Sequence, residues 1–170
     1  MKNEKVFNPM SGYLALFILL LIVAGIVFGI FMRNPFIIVF TLILFLFEAI
    51  GLTIVNPNES CVLVLFGAYK GTIKENGFFW VNPFFARKKI SLRARNFDSE
   101  PGKVNDKVGN PVMIGLVLVW KVEDTYKAAF EVDEYEHFVV VQSEAALRKL
   151  AGSYPYDNFE DEGAEITLRS

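Results

Sequence analysis

Two apolar runs separated by only three residues decide what this chain can become. Residues 13–32, YLALFILLLIVAGIVFGIFM, hold no charge in twenty positions. A helix rises about 1.5 Å per residue, so that length spans roughly 30 Å, the thickness of a bilayer's hydrocarbon core. A soluble helix would carry a polar stripe, and this one carries none. It reads as a transmembrane helix. After Arg33, Asn34 and Pro35 comes a second run of twenty, residues 36–55, FIIVFTLILFLFEAIGLTIV, with Glu48 as its only charge. Asn34 suits an N-cap and Pro35 the first helical turn, where a missing N–H costs nothing. Together they read as a transmembrane helical hairpin over residues 13–55 that returns the chain to its starting side. The alternative ends the second helix near Phe47, after about 18 Å, as a shallow re-entrant element.

Lys2 and Lys5 in the N-terminal tail, residues 1–12, invite comparison with a signal peptide. The first run is too long for such a segment, and no small-residue cleavage site follows it. Against the single Arg33 in the connection, the two lysines place the N-terminus and the domain after the hairpin in the cytoplasm of a multi-pass cell-membrane protein. Glu48 is costly at bilayer depth unless paired, protonated or hydrated. It either reaches the interface near the end of its run or makes an inter-subunit contact. Gly25 and Gly29 form a GxxxG pair that permits close helix packing. Both glycines and Glu48 are candidate oligomer contacts.

From about Asn56 the texture changes to short apolar runs with turns between them. SCVLVLF is a strand candidate, with GAYKGT as turn material after it, and KKISLRARNF alternates apolar and basic residues as a half-buried strand does. KVNDKVGNPVMIGLVLVWKV reads as two strands joined at Gly109-Asn110. Val112, Ile114, Leu116, Leu118 and Trp120 lie on one face of the second strand. Met113, Val117 and Val119 make the other nearly as apolar, which predicts a central strand covered on both sides. EDTYKAAFEV is a short helix. A longer one runs over Glu134–Ala151, with a capping box from Asp133 and Glu136, an inner face at Val139, Ala146 and Leu150, an i,i+4 pair of Glu144 and Arg148, and a stop at Gly152. Strands first and helices later indicate an α+β domain over residues 56–155, mostly antiparallel. Residues 156–170 read as the start of a further helical region that continues past residue 170.

The residue inventory argues against catalysis. The one histidine, His137, lies in a predicted helix without the convergent ligands of a metal site. The one cysteine, Cys61, starts a strand, and nothing near it suggests an activated nucleophile. No glycine-rich loop matches a nucleotide motif, so neither cofactor nor metal is expected. The basic run Arg87–Arg95 could suggest nucleic acid, but the net charge of −2 opposes that. Beside a membrane helix, Arg87, Lys88 and Lys89 are better placed for anionic lipid headgroups.

In VNPNESCVLVLFGAYKGTIKENGFFWVNPF a strand leads to Phe-Gly, a Gly-Thr turn and a glycine–aromatic segment ending in Pro. ISLRARNFD, VNDKVGNPVMIGLVLVWKVEDTYKAAFEV and SEAALRKLAG follow in order. This series, over roughly residues 54–155, resembles the stomatin/prohibitin/flotillin (SPFH, band 7) family. The resemblance implies a non-enzymatic membrane scaffold that assembles into a ring or cage of identical subunits and organises lipids. It also implies, as an alternative, an adaptor or regulator of a membrane protease. A reading from a different class, independent of the resemblance, makes the chain the anchor of an enzyme whose catalytic region lies past residue 170. Two N-terminal membrane segments, and the lack of a long charged coiled coil within these residues, depart from many relatives.

The aromatic cluster of ENGFFWVNPFFARKK cannot face one way if residues alternate along a strand, and Asn82-Pro83 interrupts the ladder. Phe78 and Trp80 are expected in the fold, and Phe84 and Phe85 against lipid beside the basic run. The competing reading makes the whole cluster internal. On the protein side, Glu144, Arg148 and Lys149 are the expected contacts between neighbouring copies.

Overall fold

The computed structural model describes residues 4–157 and 167–169, which divide into two compact units. The first comprises Met1–Arg93 with Val122–Glu131, and the second Ala94–Lys121 with Val132–Ser170. The helical region expected after residue 156 falls largely outside the described residues.

The first unit opens with a short strand β1 (Met10–Ser11), followed by α1 (Gly12–Phe31) and α2 (Pro35–Gly51). The Asn34 side chain accepts from the Phe36 N–H at 3.1 Å, and Pro35 fills the first turn, as expected. α1 is long and apolar enough to cross a membrane. α2 is apolar but only 17 residues long, shorter than the twenty expected. The chain leaves it at Gly51 because β2 (Leu52–Val55) pairs with β5 (Gly77–Trp80). β1 pairs with the other edge of β5, so the segments flanking the hairpin share one three-stranded antiparallel sheet, β1-β5-β2.

A second antiparallel sheet has β3 (Glu59–Leu65) at its centre, between β4 (Ala68–Ile73) and β6 (Phe85–Ser91). Cys61 and Leu63 join Val55, Ile73 and Val81 in the buried core, with Phe7, Phe79 and Phe85 against it. GAYKGT, expected as a turn, instead forms most of β4. Gly71 sits there at φ +151°, where a side chain would run into Phe7 and the Lys5 carbonyl. Its bareness lets the N-terminal segment lie on β4: Thr72 N–H donates to Lys5 O at 2.8 Å and Phe7 N–H to Thr72 O at 3.0 Å. A short helix, α3 (Thr125–Phe130), begins at Asp124, whose side chain accepts from Lys127 N–H.

In the second unit β7 (Arg95–Asp98) pairs with β10 (Val117–Trp120), and β8 (Gly102–Asn105) with β9 (Pro111–Ile114), both antiparallel. The hairpin at Gly109-Asn110 is present, but two expectations fail. KKISLRARNF breaks into β6 and β7 rather than one strand. The long strand expected from Val112 to Trp120 breaks at Gly115-Leu116 into β9 and β10, each with one partner. It is not central, and Met113, Val117 and Val119 are exposed.

α4 (Tyr135–Ser153) follows with Glu134 at its N-cap and no capping side chain, so the Asp133–Glu136 box does not form. Gly152 lies inside the helix, whose last residue is Ser153, with Tyr154 as its C-cap ahead of Pro155. Its inner face is Tyr135, Val139, Ser143, Leu147 and Ala151, while Ala146 and Leu150 are exposed. Arg95 ties β7 to α4: it pairs with Glu136 and lies 5.7 Å from the Trp120 ring and 5.9 Å from that of Tyr135. Such cation–π contacts add to the ion pair.

Candidate membrane interface

The last turn of a helix leaves four carbonyls without intrahelical partners, and its dipole favours cations there. At the end of α2 those carbonyls are met from β5 and β6. Trp80 Nε1 donates to Glu48 O at 3.0 Å, and Val81 N–H to Gly51 O at 2.9 Å. Arg87 donates to Ile50 O at 2.8 Å and Leu52 O at 3.3 Å. Gly51 faces the Trp80 indole so closely that a methyl group there would overlap it, and Gly12, at the start of α1, faces Phe78 in the same way. Phe78 and Trp80 therefore belong to the fold, seated where the hairpin enters the sheet.

Around this base the aromatic rings divide. Phe85 is half-buried, edge-on to Phe7 at 5.7 Å and packed against the core, which turns it inward rather than toward lipid. Phe84 is 62% exposed. Asn82-Pro83 makes the expected break between β5 and β6, and Asn82 holds the bend through the Phe84 and Phe85 N–H groups, both at 3.0 Å. Phe84 packs on Phe47 of α2, centroids 6.1 Å apart, and on Phe66 at 6.2 Å. Phe47 in turn lies 6.3 Å from Trp80.

Phe66 escaped the sequence reading. It is 86% exposed and has φ +47°, followed by Gly67 at +80°. A left-handed backbone costs a non-glycine residue about 1–2 kcal/mol. The available signal was a bulky aromatic in a two-residue loop between strands, where asparagine or aspartate is usual.

Of the basic residues, Arg87 is spent on α2, Lys88 reaches Ala129 O at 3.5 Å, and Lys89 pairs with Glu59 at 3.4 Å. The Asn56 N–H, opposed by partial burial and helped by Lys89, holds Glu59 below the ordinary carboxylate range. Lys88 and Lys89 remain exposed.

Three residues expected between subunits lie inside the protomer. Gly25 faces Thr41, and Gly29 faces Ile37 and Ile38, so the GxxxG face packs α1 on α2. Glu48 is 9% exposed, with Oε1 buried and free of hydrogen bonds. Glu144, Arg148 and Lys149 are exposed on α4, and among the described residues Glu144 and Arg148 form no ion pair. Cys61 is wholly buried in β3, and burial, partly offset by Arg87 and Lys89, pushes its thiol up. His137 is exposed on α4.

Two known proteins resemble this chain over much of its length. A protein of Methanothermobacter thermautotrophicus, described only as uncharacterized, is 29% identical over 122 residues, covering 71% of this chain and 37% of its own. An uncharacterized protein of Methanocaldococcus jannaschii is 29% identical over 108 residues, covering 63% of this chain and 54% of its own. The chain thus spans about half the length, or less, of these relatives. The model of the SPFH domain / Band 7 family matches residues 53–168, from β2 through both units, and the chain belongs to that family.

Proposed function

We propose that this chain is a non-enzymatic membrane scaffold, anchored by a hairpin that crosses the bilayer twice and associating with further copies of itself to organise the surrounding membrane and its proteins. The observation that carries the anchor is the β1-β5-β2 sheet: the segments before α1 and after α2 pair with the same strand, so the hairpin leaves and re-enters one folded unit. At about 25 Å, α2 is within the range that spans with adjustment at its ends. Arg33 at the tip would reach the far headgroups. Lys2 and Lys5 against Arg33 favour the cytoplasm for both units.

Family membership supports the scaffold, since Band 7 domains are generally membrane-associated and non-enzymatic. The contact surface we assign is the outer side of α4, where Phe138, Val141 and Leu150 are exposed among Glu144, Arg148 and Lys149. Tethering in one plane raises local concentration, so weak contacts suffice, and the charges would set register more than affinity.

The test is particle size in mild detergent by light scattering. A large homo-oligomer is expected, reduced by Arg148→Glu with Lys149→Glu while membrane insertion persists. A protomer-sized native particle would overturn the scaffold; full-sized particles from the double variant would remove α4 from the boundary. Sidedness follows from labelling Val108→Cys, an exposed site, with an impermeant reagent. Labelling in intact cells would reverse the orientation.

A further inference from the structure

We propose that the Phe66-Gly67 turn is a second, interfacial membrane anchor, with the Phe66 and Phe84 rings lying together at the headgroup–acyl boundary of the leaflet where α2 ends. This rests on the hairpin reading and adds to it a fixed contact between the folded unit and the lipid.

The turn supplies the first argument. Leu65 pairs with Ala68, leaving a two-residue loop with positive φ at both positions. That geometry favours asparagine or aspartate before glycine. Phenylalanine there strains the backbone and projects an apolar ring away from the core. Within the protomer the ring meets Phe84, itself 62% exposed, so most of its surface stays bare, whereas an apolar layer beside the turn would give both rings a favourable environment.

Continuity supplies the second. The ring contacts run from Phe66 to Phe84 to Phe47 of α2, whose own ring is part of the surface that the hairpin presents outward. Phe47 lies one turn before the end of α2, so these rings stand beside the final turn, about 6 Å in along the helix. Trp80 is at the same level, and aromatic side chains concentrate at this depth of a bilayer. β6 begins directly after Phe84, and its exposed Lys88 and Lys89 suit anionic phospholipid headgroups rather than a neutral surface.

The test uses the whole chain in nanodiscs containing phosphatidylglycerol, with one spin label introduced at Phe66→Cys. Cys61 is fully buried and can stay. Collision with oxygen relative to a water-soluble nickel chelate should be several-fold higher there than at Val108→Cys. A ratio at position 66 equal to that at 108, with a membrane-like label at Leu20→Cys, would overturn the anchor and leave the hairpin standing. An aqueous ratio at Leu20 would overturn both. A label at 66 shielded from both reagents would mean that protein covers the turn, which also overturns the proposal. Phe66→Asn, the residue this turn favours, should leave the melting temperature equal or higher yet lower the ratio read from a label at Phe84→Cys. An unchanged ratio would break the joint anchor.

Discussion

β3 and β10 both carry a run of consecutive apolar residues and came to opposite environments. In β3, Cys61, Val62 and Leu63 are fully buried, whereas in β10 Val117 is 73% and Val119 64% exposed. The difference lies in what covers each strand. β3 has a strand on either side. Its Cys61 and Leu63 face the cluster with Val55 and Val81, while Val62 pairs with Thr72 on the side where Thr125 of α3 hydrogen-bonds the Thr72 hydroxyl. β10 has one partner and an uncovered face. Among the described residues every buried apolar side chain except Ala151 belongs to the first unit. An apolar strand states a demand for cover, and only distant segments decide whether the protomer supplies it.

The sharpest way to break this contrast is truncation at matched depth in the two strands. Leu63→Ala should destabilise the first unit by about 2–5 kcal/mol, the range for a buried leucine. Val119→Ala should stay within about 0.5 kcal/mol, as exposed substitutions do. Urea denaturation in detergent measures both. Comparable losses would mean that the exposed face of β10 is covered after all.

Next in size is the cover supplied by the N-terminal segment. Glu4 accepts from the Thr125 N–H at 3.3 Å and from the Thr125 hydroxyl, and pairs with Lys74 at 2.6 Å. Glu4→Ala leaves the donors at the head of α3 without that acceptor, at a cost of about 1–3 kcal/mol. A loss below about 0.5 kcal/mol would reduce this segment to a loose tail. Removing residues 1–55 to obtain a soluble protein should fare worse, because β5 then loses both β1 and β2.

Much of this was legible from local signals. Apolar run length gave both helices of the hairpin, Asn34-Pro35 gave the start of α2, and Gly109-Asn110 the β8–β9 turn. Asn82-Pro83 separated β5 from β6. What could not be read was long-range. The GxxxG face of α1 looked equally able to meet another copy, and only the short connection after it turned it onto α2. Gly71 looked like a turn residue because nothing local shows that residues 5–7 cross it. Phe85 looked like a companion of Phe84, yet the strand alternation that begins at β6 sends it to Phe7. Phe66 was passed over because, beside a glycine, it read as the end of a strand.

The second unit relies on a polar lock where the first uses apolar packing. Asp106, buried at the β8–β9 turn, accepts from Val108 N–H at 3.0 Å and Asn110 N–H at 2.7 Å through one oxygen, and from Tyr156 N–H at 3.0 Å through the other. Burial pushes its carboxyl up, but these donors outweigh that and leave it below its ordinary value of 3.8. A depressed carboxylate contributes stability above its unfolded pKa and loses it as pH falls through the folded one. Hydrogen-exchange protection of Val108, Asn110 and Tyr156 should therefore hold at neutral pH and fall only below about pH 4. Unchanged protection of these amides in Asp106→Ala at neutral pH would show that the lock is dispensable.

The smallest effect is the most diagnostic in sign. Gly152 lies in the last turn of α4, and a methyl group there would meet no other atom. If the residue were a left-handed cap, as its place near the end of the apolar pattern suggests, alanine would be strained and destabilising. Inside the helix, alanine instead removes backbone freedom from the unfolded chain and gains up to about 1 kcal/mol, less where a terminal turn frays. Gly51→Ala, at the end of α2, meets the Trp80 indole and should destabilise. The same substitution near two helix ends thus carries opposite signs: open space in the second unit admits the methyl group, while close packing in the first excludes it. A rise in melting temperature at position 152 with a fall at 51 would support that contrast; falls at both would restore Gly152 as a cap.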